Sequence, residues 1–347
     1  MALVKVIVPS YGYAHHLRDC VAAVVSQEGV DTRVLIVDDC SPDDTEAVAR
    51  ALAAADGRVE YMKNPQNLGL IGTANRGLGW AADGDFTVLL SADDLLAPGA
   101  LGRAARLMEA RPEVSFVYGH APDFASNDDL PGAGSHWGDK VWGGRDWIRR
   151  RCRIGTNCIA SPEVVVRAVA QTAAGPYSAA NKNTSDLNMW LRLAELGDVG
   201  YVVGAAQAYY RVHDDSMFRT MLSDAGGLTA GLRERLGAFE NFFAHSSLPE
   251  AEIAELRALL ARALGGEALW EAGRAHDRGD PEAVDALLAF VAAEFPGDAD
   301  LPGRADLRLR RALGPRASGH FPPFLAARAA HRARGHLRWV RWRYAGV

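Results

Sequence analysis

Through the first 118 residues, five short runs of aliphatic and β-branched residues alternate with segments of helical period, and no other feature narrows the fold as much. The runs are Val4 to Val8, Val34 to Val37, Val59 to Tyr61, Phe86 to Leu90 and Ser115 to Tyr118. A run as short and apolar as Phe86 to Leu90 fits a strand buried on both faces, as in a parallel sheet. Between the runs, Leu17, Val21, Val24 and Val25 recur at helical spacing. Ser41-Pro42-Asp43-Asp44 supplies a cap, a proline for the first helical position and acids for the first turn, so a helix is predicted to about Ala55. Asn67-Leu-Gly69 leads into a helix from Leu70 to Ala82, and a further helix is predicted from Gly99 to Ala110. Strands and helices alternating over short connections predict parallel β-α-β units: an α/β, Rossmann-like, mostly parallel sheet with helices on both faces.

The Phe86 run stops at two adjacent carboxylates, Asp93-Asp94. They fall at the carboxyl end of a buried strand, the edge where open α/β sheets bind ligands. Two unpaired carboxylates there repel each other and cost free energy to desolvate. A divalent cation would resolve the conflict; a plain cap, with Asp94 starting the next helix, is the alternative. This segment alone does not choose. There is no G-x-G-x-x-G after the first strand and no G-x-x-x-x-G-K-[ST], which removes the main support for dinucleotide and P-loop readings.

From Gly119 to Gly144 the chain turns to Gly, Pro, Asp, Ser and Trp, which predicts a long loop region with small hairpins, a common setting for function. Helices are predicted over Arg145 to Arg153 and Pro162 to Ala173, then a flexible loop from Ala174 to Thr184. Asp186 to Leu196 reads as a helix with Leu187, Trp190, Leu191 and Leu193 in the core; strands over Val199 to Val203 and Gln207 to Val212 finish at His213. After about Ser223 the chain reads as helical only, over Leu228 to His245, Pro249 to Ala275 and Pro281 to Phe295, which suits a small bundle. The net charge of −5 argues against a nucleic-acid partner, yet residues 304–347 hold eleven arginines and one aspartate. The segment from Phe324 to Tyr344, with Trp339 and Trp342, reads either as an interfacial helix on an anionic membrane or as a helix docked on its own domain or on a second subunit in a homodimer. Cys20, Cys40, Cys152 and Cys158 lack metal-ligand spacing and read as reduced structural thiols. With no leader-like start and no apolar run approaching a membrane span, the expected location is cytoplasmic, with membrane-peripheral contact left open.

Several of these stretches form an ordered set: Val6-Ile-Val-Pro-Ser-Tyr11, Ser26-Gln27, Val37-Asp38-Asp39-Cys40-Ser41, Asn67-Leu-Gly69, Asn75-Arg76-Gly77, Ser91-Ala-Asp93-Asp94, Trp190-Leu-Arg-Leu-Ala194 and Tyr210-Arg-Val-His213. In order and over roughly residues 3–220, this set resembles family 2 glycosyltransferases of GT-A fold. The resemblance implies a catalytic domain over residues 1–222, with a donor half to about 118 and an acceptor half from 119, followed by an all-helical domain over 223–347. It implies a nucleotide-diphosphate-sugar donor, Mn²⁺ or Mg²⁺, inversion at the anomeric carbon, and a hydroxyl acceptor on a glycan, a lipid-linked intermediate or a small natural product. By position, Pro9, Tyr11 and Asp39 would line the nucleobase and ribose, with Asp39 accepting from the imide of uracil or thymine, hence a UDP- or dTDP-sugar. Arg76 would be a phosphate or base contact or else a solvated helix residue. Asp93 would reach the ribose or sugar, Asp94 and His213 would ligate the cation on the diphosphate, and Asp186 would be the general base. Two positions depart from the family pattern: Ser91 stands where many members have aspartate, and Ser185 precedes Asp186 where Glu-Asp is common. His15 and His16 lie near the same edge and read as surface residues. The rivals are a sugar-nucleotide-binding scaffold without catalysis and a sugar nucleotidyltransferase, although Pro9-Ser-Tyr-Gly-Tyr13 is not the Gly-rich basic loop the latter requires.

Overall fold

The computed structural model describes residues 1–213, 227–297 and 300–347. The predicted alternation is present as β1 (Leu3–Ser10), α1 (Ala14–Val25), β2 (Asp31–Asp38), α2 (Thr45–Ala55), β3 (Val59–Lys63), α3 (Gly69–Ala81), β4 (Phe86–Leu89), β5 (Leu95–Leu96), α4 (Ala100–Ala110) and β6 (Val114–His120). Then come β7 (Asp123–Phe124), β8 (Gly138–Trp142), α5 (Gly144–Ile154), β9 (Val165–Arg167), α6 (Ala168–Ala174), α7 (Ser185–Leu196), β10 (Asp198–Ala206) and β11 (Ala208–Arg211). One sheet has the order β3-β2-β1-β4-β9-β6-β10-β8. Its β3-β2-β1-β4 half and the β6–β10 pair are parallel, whereas β9 and β8 run antiparallel to their neighbours.

Alternation along β1 explains the two covered faces. Val4, Val6 and Val8 are fully buried in one cluster with Leu17 and Val21 of α1, Ala49 of α2 and Leu101 of α4. Ile7 points the other way and packs with Leu35, Val37 and Ala81. A side chain at Gly77 would place its Cβ 2.3 Å from Ile7 Cγ2, so α3 lies on β1 at a distance that only glycine permits.

Three expectations need correction. Pro162 to Ala173 is not one helix: a 3-10 turn at Ser161–Glu163 precedes β9, and α6 follows. The run Val164-Val-Val166 is β-branched and buried, and β9 fills the sheet between β4 and β6. The region from 119 to 144 holds strands with distant partners rather than local hairpins: β7 pairs with β11, and β8 with β10. Residues 174–184 are tied down: Asn75 Oδ1 accepts from Tyr177 N at 2.7 Å, Asn75 Nδ2 donates to Tyr177 O at 3.0 Å, and Arg192 donates to the carbonyls of Ala174 and Pro176.

The chain divides into two compact units. The α/β unit comprises Met1–Trp147, Cys158–Ser216 and Arg343–Gly346; the helical unit comprises Ile148–Asn157, Met217–Trp342 and Val347. Its helices are α8 (Gly227–His245), α9 (Glu250–Arg278), α10 (Pro281–Glu294), α11 (Arg304–Leu313), α12 (Pro315–His320) and α13 (Pro322–Ala345). The long α9 buries Leu256, Leu260, Leu264 and Ala268 as the centre of the unit. No helix among the described residues is long and apolar enough to cross a membrane.

Candidate active site

The carboxyl ends of β1, β2 and β4 meet at one edge of the sheet. The β1 and β2 ends are joined by Asp39 N donating to Ser10 O at 2.9 Å and by Gly12 N donating to Ser41 Oγ at 3.2 Å. Cys40, at φ 60°, is the one non-glycine among the described residues with a left-handed backbone. Holding a residue there costs on the order of 1–2 kcal/mol, and such strain collects at functional turns.

The tight turn aims Asp39 at the start of α3. Its Oδ1 accepts from Asn64 Nδ2 and Leu68 N, both at 2.7 Å, and its Oδ2 accepts from Gly69 N at 2.9 Å. The Asn67-Leu-Gly69 motif therefore brings helix N–H groups onto a carboxylate donated by a neighbouring strand. These three bonds fill three of the roughly four acceptor positions of this carboxylate. Pro9 is buried at the end of β1, Tyr11 is half exposed on the loop beyond, and Arg76 is exposed on α3.

The two aspartates after β4 face opposite ways. Asp94 is 2% exposed, and its Oδ1 accepts from Arg211 N at 2.8 Å. Burial, with Asp93 beside it, holds its carboxyl well above the usual carboxylate range. Asp93 instead turns to the open side, where its Oδ2 lies 3.1 Å from His213 Nε2. The sequence expectation joined His213 to Asp94; the structure joins it to Asp93. The reason is β5, which pairs with β11 and seats Asp94 over the Arg211 amide.

Arg211 builds much of this edge, and the sequence reading gave it no role. It is 5% exposed, donates from Nε to Asp93 O at 2.8 Å and from Nη2 to Asn127 Oδ1 at 2.6 Å, and lies over the Phe124 ring at 4.2 Å. Tyr210 was also passed over. Burial pushes its phenol up to about 12, with the carboxylates of Asp94, Asp93, Asp123 and Asp186 adding to the effect. Tyr210 thus stands in the field of both the Asp93 pair and Asp186. The signal was present in Tyr210-Arg-Val-His213, of which only the histidine had been assigned.

Asp186 opens α7, with its Oδ1 accepting from Leu187 N at 2.7 Å. One turn on, Trp190 is buried and stacks on Phe116 of β6 with ring centroids 5.8 Å apart, which fixes the helix start. On the other side, Tyr13 Oη is 3.4 Å from His213 Nε2, and the His15 and His16 rings are 4.0 Å apart. Burial and the Arg211 guanidinium push His16 down to about 4, so it is neutral near pH 7. His16 is half-buried, with its ring 5.9 Å from that of Tyr13, instead of standing as a plain surface residue.

Among the described residues no group of three or more His, Cys, Asp and Glu side chains is arranged to hold a metal ion alone. Asp93 and His213 nonetheless offer one carboxylate oxygen and one ring nitrogen, both partly open to solvent. The carboxylate suits a hard cation, Mg²⁺ or Mn²⁺, whose shell substrate phosphates and water would complete, and the softer ring nitrogen suits Mn²⁺ better than Mg²⁺.

Residues 5–159 match the model described as glycosyl transferase family 2. This stretch belongs to that family. Over 122 residues the family 2 domain is 33% identical to GalNAc(5)-diNAcBac-PP-undecaprenol beta-1,3-glucosyltransferase of Campylobacter jejuni, covering 35% of this chain and 38% of that protein. It is 35% identical over 107 residues to the succinoglycan biosynthesis protein ExoO of Rhizobium meliloti, covering 31% and 30%. The chain thus spans less than half the length of these relatives. The fold is similar to that of S. aureus TarS 1-349 in complex with UDP-GlcNAc, with TM-score 0.58 at 16% identity, over 90% of this chain and 88% of that one. It is also similar to mannosyltransferase PcManGT of Pyrobaculum calidifontis in complex with GDP-Man and Mn²⁺, with TM-score 0.52 at 18% identity, over 89% and 79%.

Proposed function

We propose that this chain is an inverting glycosyltransferase that moves a sugar from a nucleoside-diphosphate sugar to a hydroxyl acceptor. The observation that carries the reading is the open Asp93–His213 pair, at 3.1 Å, on the ligand edge of a family 2 domain. Asp39 would accept from an imide N–H, which favours a UDP- or dTDP-sugar. Pro9 and Tyr11 flank the base, and Arg76 lies on α3 within the donor half as a phosphate contact. Asp93 and His213 would hold Mn²⁺ or Mg²⁺, and Asp94 takes the structural role. When bound, the cation offsets charge on the leaving diphosphate as a Lewis acid. Asp186 takes the acceptor hydroxyl proton as the new glycosidic C–O bond forms and the bond to the diphosphate breaks, its electron pair leaving on the phosphate oxygen. The Campylobacter jejuni glucosyltransferase, named for an undecaprenol-linked saccharide, favours a lipid-linked acceptor over a small natural product. Four cysteines outside any disulfide suit a reducing, cytoplasmic setting.

A thermal-shift panel of UDP, dTDP and GDP, each with and without Mn²⁺, tests the donor site. A matching nucleotide at 100 times its Kd adds about 2.7 kcal/mol of stability. No shift with any of them would overturn the donor reading. A shift without turnover of UDP- or dTDP-sugars on lipid-linked saccharides would favour the scaffold.

A further inference from the structure

We infer that α13 docks on the surface of an anionic phospholipid bilayer. This helix spans Pro322–Ala345, yet Phe324 is the one residue within it that is buried. A helix docked on its own unit hides its apolar face. Here that face is outward. Ala330, Ala333 and Leu337 follow one another at spacings that return to the same side of a helix. All three are exposed, Leu337 at 58%.

The charge around that face selects the partner. At 100° per residue, Arg334 and Arg341 border it on one side, Arg332 on the other. No acidic residue follows Asp306 in the chain. Two copies meeting through this face would bring arginine rows together with no carboxylate between them, which disfavours a second copy of the chain as occupant. An apolar strip edged by arginines instead matches a bilayer surface: the strip enters the headgroup boundary, and the guanidinium groups meet lipid phosphates. This inference stands apart from sugar transfer, and its test reads no activity.

The test is vesicle flotation of the full chain at low salt, with phosphatidylcholine alone or mixed with phosphatidylglycerol. The chain should float only with the anionic vesicles. Each arginine near such a surface is worth about fivefold in partitioning. The triple variant Arg332→Gln, Arg334→Gln, Arg341→Gln should therefore bind roughly a hundredfold more weakly, and Leu337→Gln should weaken the binding that survives added salt. All four positions are exposed, and circular dichroism checks that each variant is folded. Failure to float with anionic vesicles, or equal flotation of the triple variant, overturns the inference. So does a dimer in sedimentation equilibrium that Leu337→Asp dissociates, because the face would then belong to a second copy.

Discussion

At the scale of single residues, adjacent aspartates in one turn have opposite fates, and that contrast can be measured. Asp94 is buried against the Arg211 amide, so Asp94→Ala should leave that N–H unpaired and cost about 1–3 kcal/mol of stability. Asp93→Ala and His213→Ala should melt near the parent temperature but lose the Mn²⁺-dependent part of nucleotide stabilisation, as EDTA should in the parent. A stable Asp94→Ala protein that has lost its Mn²⁺ response would restore the assignment made from sequence. Asp186→Asn keeps shape and hydrogen bonding but cannot accept a proton, so kcat should fall about 10²–10⁴-fold with nucleotide affinity unchanged. Near-parental kcat would move the base to Asp198 or to an acid of the 123–139 segment. That carboxylates gather at this edge was legible from strand ends alone. Which of Asp93 and Asp94 turns outward was not, because a backbone amide 117 residues further on decides it.

At the scale of elements, the sequence revealed strands wherever an apolar run stood beside a helical period, in β1 to β4 and in β6. It missed β9, a three-residue strand wedged between β4 and β6, because so short a run carries no period of its own. The loop after α6 was misjudged for a related reason. Small polar residues suggest mobility, but the groups that fix this loop lie elsewhere, in Asn75 of α3 and Arg192 of α7. Asn75 belongs to the Asn75-Arg76-Gly77 motif, and its two bonds to the Tyr177 backbone hold the segment that leads into α7. Asn75→Ala removes both, about 1–3 kcal/mol of local order. Amide exchange across 175–184 should speed up, kcat should fall, and nucleotide affinity should change little. Unchanged exchange there would mean that Arg192 alone holds the loop.

At the scale of the whole molecule, the two units are stabilised in different ways. The α/β unit rests on apolar layers over both faces of its sheet, which composition and period made readable. The helical unit adds a buried ionic centre that no pattern announced. Arg310 and Asp277 pair with side chains 3% and 4% exposed. Ser318 Oγ donates to Asp277 Oδ1 at 2.7 Å, and the Arg310 guanidinium lies 3.7 Å over the Phe324 ring. These contacts tie α9, α11, α12 and the start of α13 to one point. Arginine and aspartate there looked like ordinary solvated helix residues, since their partners are 33 and 41 positions away in the chain. A buried pair adds little net stability over an apolar replacement, yet removing one partner strands the other charge. Arg310→Ala should therefore destabilise the helical unit by about 3–5 kcal/mol. The double change Arg310→Met, Asp277→Leu should recover most of that loss. Urea melts followed by amide exchange over residues 250–345 would show both effects. If Arg310→Ala costs less than about 1 kcal/mol, the range of an exposed pair, the pair is open to water and does not organise these helices.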